Sequence, residues 1–428
     1  MQTRIPVSLT AWRPIIGRLA AAALATGLAG AAIAQPVVER GTISSAALAG
    51  NKFGDPTNRA YAVYLPPSYG QGSRRYPVVF MLHGWQGTYD SFLDTFPVEF
   101  DRLIRSRRAA EMIAVFVDGN NAVRGSFYRN SVVTGDYETY IAKDLVGQID
   151  TRYRTIGDVP NRAIAGYSMG GYGALHLAMN YPDIFSVAAS HAGYYDTGDS
   201  VTDAALKTIA RTKPVTAGAV AGMNLQASAL FPLLPAAVPN PEKPPFYYDS
   251  PYTYENGVYT LDTDLARRLL EADIVHGDLP RYLSQPTRLL AMQVVHGTAD
   301  GLSPVSQART LRGSLVDGGV THVYEEHGGG HVFLLDRLAE FLTKNLAGAQ
   351  LYIDPPRLTL VGRGTGAKIV FSTLVGVEYQ VEQAGLDRPI REWTSVATIQ
   401  GTGQSVEWPI PPPTGAFVLR VVASNKSP

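Results

Sequence analysis

Three side chains in this 428-residue sequence have the types of a nucleophile, an acid and a base. Ser168 is the centre of Gly166-Tyr167-Ser168-Met169-Gly170. Asp300 lies in His296-Gly297-Thr298-Ala299-Asp300-Gly301, and His331 closes His327-Gly328-Gly329-Gly330-His331. A serine hydroxyl is a poor nucleophile until an imidazole takes its proton, and a carboxylate behind the imidazole fixes its tautomer and stabilises the imidazolium. The chemistry such a set performs is acyl transfer through a covalent acyl-enzyme. Each residue alone has a plainer explanation: Ser168 caps a helix, Asp300 stabilises a turn, His331 opens a helix. Of the two histidines, His331 is expected as the base rather than His327, because three glycines bend the backbone and deliver the residue that follows them. The developing oxyanion needs two backbone N–H donors. Met169, after the nucleophile, supplies one, and Trp85 in Leu82-His83-Gly84-Trp85-Gln86-Gly87 supplies the other; its indole either walls the pocket or covers the core.

These residues need a frame, and the pattern around them predicts one. Arg162–Ala165 reads as a short strand and Tyr172–Asn180 as a helix ending before Tyr181-Pro182, so Ser168 falls on a sharp strand-to-helix turn. Further strands are expected over Tyr61–Leu65, Val78–Leu82, Met112–Val117, Phe185–Ala189, Leu289–Val295 and Thr321–Glu325. Helices are expected over Phe92–Arg107, Glu138–Tyr153, Pro304–Val316 and Val332–Leu346. Alternating strands and helices imply a mostly parallel sheet covered on both faces, with its chemistry at the carboxyl ends of the strands. Asp300 and His331 each follow such a strand.

Four co-linear stretches carry a resemblance: YAVYLPPSYGQGSRRYPVVFMLHGWQG, FVDGNNAVRGSFYRNS, DLVGQIDTRYRT and GYSMGGYGALHLA. Together they resemble the esterase D-like branch of the α/β-hydrolases, which includes feruloyl esterases, S-formylglutathione hydrolases, enterochelin esterases and mycolyltransferases. The order Ser…Asp…His is also that of α/β-hydrolases. The resemblance spans about Gly41–Ala347, apart from the interruption after Tyr195, and implies Ser168 as nucleophile, His331 as base, Asp300 as acid, and Trp85 and Met169 as oxyanion donors. One departure is Ser190-His191-Ala192-Gly193 where members often have Ser-Gly; His191 then either faces the pocket or is structural, the plainer choice. The implied activity is a secreted serine carboxylic-ester hydrolase, without metal or organic cofactor, acting on feruloyl-type or sugar esters, small or polymer-linked. Transfer of the acyl group to a sugar hydroxyl is the alternative, ahead of peptide hydrolysis or a non-catalytic adhesion protein.

The rest of the chain bounds that expectation. Residues 1–34 read as a signal peptide: Arg4, Arg13 and Arg18, an apolar Leu19–Ile33 run, and Ala32-Ile33-Ala34 before a cleavage point at Gln35. Export to the periplasm or beyond follows, and no membrane span is expected in the mature chain. Loss of those three arginines leaves 34 basic against 37 acidic residues, so nothing favours nucleic acid. Cysteine is absent, which excludes disulfides and thiolate sites. Residues 35–348 are expected to form the catalytic domain, interrupted at 194–286 by a lid whose Phe246, Tyr247 and Tyr248 either meet substrate or pin the insertion. Residues 349–428, rich in alternating apolar segments, read as a small all-β sandwich.

Overall fold

Apolar runs too short for helices form the centre of the fold. In a computed structural model, which describes residues 3–9, 35–353, 356–362, 366–385, 393–410 and 417–425, the chain divides into two units. The larger holds 36–66 and 75–349, the smaller 1–35, 67–74 and 350–428.

The larger unit is built on eight strands. They are β1 (Val37–Ser44), β2 (Asn58–Leu65), β3 (Val78–Leu82), β4 (Ile113–Val117), β5 (Arg162–Tyr167), β6 (Val187–His191), β7 (Ala291–Gly297) and β8 (Val323–His327). Their order across the sheet is β8-β7-β6-β5-β3-β4-β2-β1. All neighbours from β8 to β4 run parallel, and β2 is antiparallel to both β4 and β1. Every residue of β3 and β4 is buried, as expected of central strands with helices on both faces. The chain passes from β3 to β4 on one side and then returns to lay β5 on the other. Strands β3 and β5 stay paired as far as Leu82 and Gly166, and the connections that leave them, carrying the Gly84–Trp85 and Ser168 turns, run to opposite sides, which is where such sheets open a crevice.

Helices α1 (Phe96–Arg105), α2 (Val146–Arg152), α3 (Met169–Asn180), α4 (Ser200–Thr212), α5 (Ala217–Ala221), α6 (Val305–Asp317) and α7 (Leu335–Asn345) join them. Several boundaries differ from the sequence expectation. The helix expected from Phe92 begins at Phe96, because Phe92 turns inward onto Phe116 and Phe333, with centroids 6.2 and 5.3 Å away. That expected from Val332 begins at Leu335, since the extended Leu334 gives its N–H to His191 Nδ1 at 3.2 Å. The strand expected from Phe185 starts at Val187, the Phe185 N–H still closing a turn on the Tyr181 carbonyl. A π-helical stretch, Tyr140–Leu145, leads into α2. Strand β1 was not anticipated; its mostly exposed, charged sequence has no clear alternation.

Within 194–286 lie α4, α5, further helices of which Thr263–Leu270 is the longest, and a hairpin of Tyr252–Glu255 with Val258–Leu261. Its aromatic run packs rather than hangs free: Phe246 and Tyr248 meet buried Phe231 edge-on at 5.0 and 5.3 Å, and Tyr247 meets Phe53 at 5.5 Å. A buried ionic group ties this segment to α3. His176 Nδ1 lies 2.8 Å from Asp278 Oδ2 and its Nε2 3.1 Å from Glu138 Oε1, while Arg129 donates to the Tyr172 hydroxyl and the Ala272 carbonyl.

Among the described residues, the smaller unit holds two sheets and a 3-10 turn, Tyr69–Gln71. One sheet runs Thr3–Leu9, Phe417–Asn425, Val377–Gly385, Thr394–Gln400; another runs Thr359–Val361, Lys368–Ser372, Ser405–Pro409. Ile369, Phe371, Tyr379, Val381, Leu419 and Val421 form the core between them, the packing of a small sandwich. Thr3–Leu9, inside the expected leader, pairs antiparallel with Phe417–Asn425, from Thr3 opposite Ala423 to Leu9 opposite Phe417. The expected cleavage point after Ala34 lies outside the described residues. Among those residues no helix is long and apolar enough to cross a membrane.

Candidate active site

The turn at Ser168 is strained in a way that exposes its side chain. Its φ of 60° and ψ of −123° are rare for a residue bearing Cβ. The glycines on either side make the turn possible. A Cβ on Gly166 would lie 2.0 Å from the Gly170 carbonyl oxygen, and one on Gly170 would lie 2.0 Å from that of Leu82. Strand β5, helix α3 and the end of β3 can meet only through backbone at these positions. The Ser168 N–H donates to the His191 carbonyl at 2.9 Å, and its carbonyl accepts from Tyr172 N–H at 3.1 Å.

Asp300 and His331 come from neighbouring strand ends. His331 Nδ1 is 2.7 Å from Asp300 Oδ2, and the other carboxylate oxygen accepts from the N–H groups of Leu302 and Ser303, both at 2.9 Å. Burial pushes the Asp300 carboxyl up, but the His331 bond and those two N–H groups outweigh it and hold the pKa below its ordinary value. The residue stays ionised. With Nδ1 engaged, His331 Nε2 is buried with no partner among the described residues. The loop carrying it is tied down: Ala299 N–H donates to the Gly329 carbonyl at 3.0 Å, and only a glycine at 297 allows the carbonyls of Gly329 and Gly330 so close. His327 is engaged elsewhere, its Nδ1 accepting from Gly329 N–H at 3.1 Å.

Met169 follows Ser168 directly, and Trp85 lies in the loop whose Gly84 faces that serine. Neither backbone N–H has an acceptor among the described residues. A Cβ on Gly84 would lie 3.2 Å from Ser168 Cβ, so glycine lets this loop pass directly over the serine. His83 holds the loop from below: its Nδ1 donates to the Gly84 carbonyl at 2.8 Å and its Nε2 accepts from Gly119 N–H at 2.9 Å. Burial depresses the His83 pKa, in keeping with this neutral form. The Tyr128 hydroxyl donates to the His83 carbonyl at 2.7 Å.

Ser168, Met169, Trp85 and His331 line one cavity with an empty volume of about 500 Å³, its mouth included. The remaining wall is mostly apolar and comes largely from residues the sequence did not single out: Phe127, Tyr194, Val201, Ala205 and Leu230. Four of these five lie within 194–286. His191 is not in that wall; it is fully buried and serves Ser168 and Leu334. Phe246, Tyr247 and Tyr248 are absent from it as well. Tyr167, within the motif, binds the His331 carbonyl through its hydroxyl at 2.8 Å. Sequence reasoning also passed over His296, whose Nε2 donates to the Ser303 carbonyl at 2.7 Å beneath Asp300. Among the described residues, one group of metal-ligating type converges, Asp196, Asp273 and His276. Asp273 there is already saturated by Thr197 and His276.

The sheet order and the strained serine turn define an α/β-hydrolase fold. Residues 56–230, which include Trp85, Ser168 and Met169, match the family described as putative esterase. Asp300 and His331 lie beyond it. An esterase of Mycobacterium tuberculosis is 37% identical over 142 residues, covering 32% of this chain and 29% of that one. An endo-1,4-beta-xylanase/feruloyl esterase of Xylanibacter ruminicola is 31% identical over 135 residues, 29% of this chain and 18% of that one. The chain thus spans less than a third of the length of these relatives. Among solved structures, a ferulic acid esterase aligns with a TM-score of 0.49 at 22% identity, over 73% of this chain and 99% of that one. An S-formylglutathione hydrolase of Agrobacterium tumefaciens aligns at 0.49 and 15%, over 73% and 96%.

Proposed function

We propose that the protein is a serine carboxylic-ester hydrolase in which Ser168 attacks the ester carbonyl. The carrying observation is the pairing of His331 Nδ1 with a buried, ionised Asp300, which leaves Nε2 unpartnered at the wall of the cavity that holds Ser168. His331 takes the serine proton as the tetrahedral intermediate forms and returns it to the leaving alcohol oxygen. The Trp85 and Met169 N–H groups receive the negative charge on the former carbonyl oxygen. Water, activated by the same imidazole, then releases the acid and regenerates the serine. Feruloyl-type or sugar esters are the proposed substrates, the former in keeping with the names of the relatives and with a predominantly apolar wall. The enzyme is proposed to be exported after removal of residues 1–34.

The test is a panel of aryl and sugar esters, ranked by kcat/KM, together with labelling by a fluorophosphonate. Wild-type protein should hydrolyse at least one ester class and label once, and Ser168→Ala should do neither. Labelling that persists in Ser168→Ala, or inertness of wild type toward every ester, overturns the proposal. Products formed with a sugar acceptor present separate hydrolysis from transfer.

A further inference from the structure

A second cavity adjoins the first through Trp85, which lines both. It has an empty volume of about 530 Å³, its open mouth included, and Arg124, Val220, Phe231 and Phe246 are among its walls. None of Ser168, Asp300 or His331 reaches it. We propose that this chamber receives the far end of the acyl group, and that Arg124 selects acyl groups ending in a carboxylate. The inference rests on the ester-hydrolase function proposed above.

Which half of an ester enters the chamber follows from proton transfer. The leaving oxygen must accept its proton from His331, so the alcohol half stays on the His331 side of the carbonyl carbon. The acyl half then extends away from His331, and Trp85, shared by both cavities, makes this chamber the space proposed for its far end. Its walls are apolar apart from Arg124 and Gln86, and the rings of Trp85 and Phe246 suit a hydrocarbon or flat segment.

Arg124 is held in place by its backbone. Its φ is 67°, in the left-handed region that residues with a Cβ seldom adopt. Its N–H donates to the Asn121 carbonyl at 2.8 Å, and its own carbonyl accepts from Gln86 N–H at 2.9 Å. The Asn121 side chain takes the N–H groups of Val123 and Gly125. A Cβ on Gly125 would lie 2.5 Å from Met169 Sδ, so this loop and the oxyanion turn are packed backbone to side chain. Such strain collects at ligand-handling sites. The guanidinium is exposed and has no carboxylate partner among the described residues, whereas Arg59, Arg162 and Arg309 are each paired. An unpaired guanidinium beside an apolar chamber matches a carboxylate at the end of an apolar chain.

Three aryl esters test this: a neutral butyrate, a hemiglutarate with the carboxylate on the acyl side, and a butyrate of a carboxyphenol with it on the alcohol side. In Arg124→Gln the ratio of kcat/KM for hemiglutarate over butyrate should fall about tenfold, the size of one charge-assisted hydrogen bond at a partly solvated site. Arg124→Lys should restore part of the ratio. Val220→Trp, which fills the chamber, should lower hemiglutarate turnover relative to that of a fourth substrate, the acetate of the same phenol. An unchanged ratio in Arg124→Gln, or a loss confined to the carboxyphenol ester, overturns the inference while leaving the ester-hydrolase function standing. Failure of wild type on all three esters, with no labelling of Ser168, overturns both.

Discussion

At the scale of single residues, the chemistry depends on which histidine meets Asp300. His327 and His331 stand four positions apart, and the structure gives them different partners. His331 pairs with the carboxylate, while His327 closes a local turn on Gly329. We expect His331→Ala to lower kcat by three orders of magnitude or more, because an unassisted serine hydroxyl is a weak nucleophile. Fluorophosphonate labelling of Ser168 should slow in parallel. His327→Ala should keep most of the activity, losing only the turn. Steady-state kinetics and labelling rates on folded variants decide it, and the opposite pattern would assign the base to His327.

Elements meet through the same kind of contact, and one of them makes stability depend on pH. His191 ends β6, and its Nδ1 accepts the N–H of Leu334, the residue from which α7 starts. That nitrogen must be unprotonated. Burial depresses the His191 pKa to about 4 from an ordinary 6.5. The unfolded chain therefore takes up a proton below pH 6.5 that the folded chain refuses until about pH 4. Stability from this group is fully present above 6.5 and is lost as the pH falls toward 4, by on the order of 3 kcal/mol. Urea midpoints measured from pH 7 to pH 4 should fall more steeply for wild type than for His191→Asn, whose amide oxygen can still accept the Leu334 N–H. Equal slopes would show that His191 is not the group responsible.

For the whole molecule, the question is whether Thr3–Leu9 stays in the mature chain. The N-terminal Thr3–Leu9 is a strand of the sandwich, yet the same residues begin the expected leader. Cleavage after Ala34 would free the partner strand Phe417–Asn425 along one edge. The expected outcome is an exported protein whose intact mass begins at Gln35. Exported protein that retains Met1 would instead make Thr3–Leu9 a permanent part of the sheet.

Composition and spacing were enough to read the alternation of strands and helices, the sharp turn at Ser168 and the order Ser168, Asp300, His331. These are local signals: apolar runs of strand length, glycines where backbones must touch, and prolines where helices stop. Tertiary structure decided what depends on distant partners. Helix α7 starts three residues later than its apolar pattern because Leu334 is bound by a histidine 143 positions away. Phe246 and Tyr248 pack on Phe231, and Tyr247 on Phe53, contacts that no short-range pattern encodes. The partnering of His331 with Asp300, 31 positions apart, and the wall that 194–286 contributes to the cavity are likewise set by where the sheet places strand ends. A sequence specifies residue types and local periods; the distance between an imidazole and a carboxylate is fixed only when remote segments have packed.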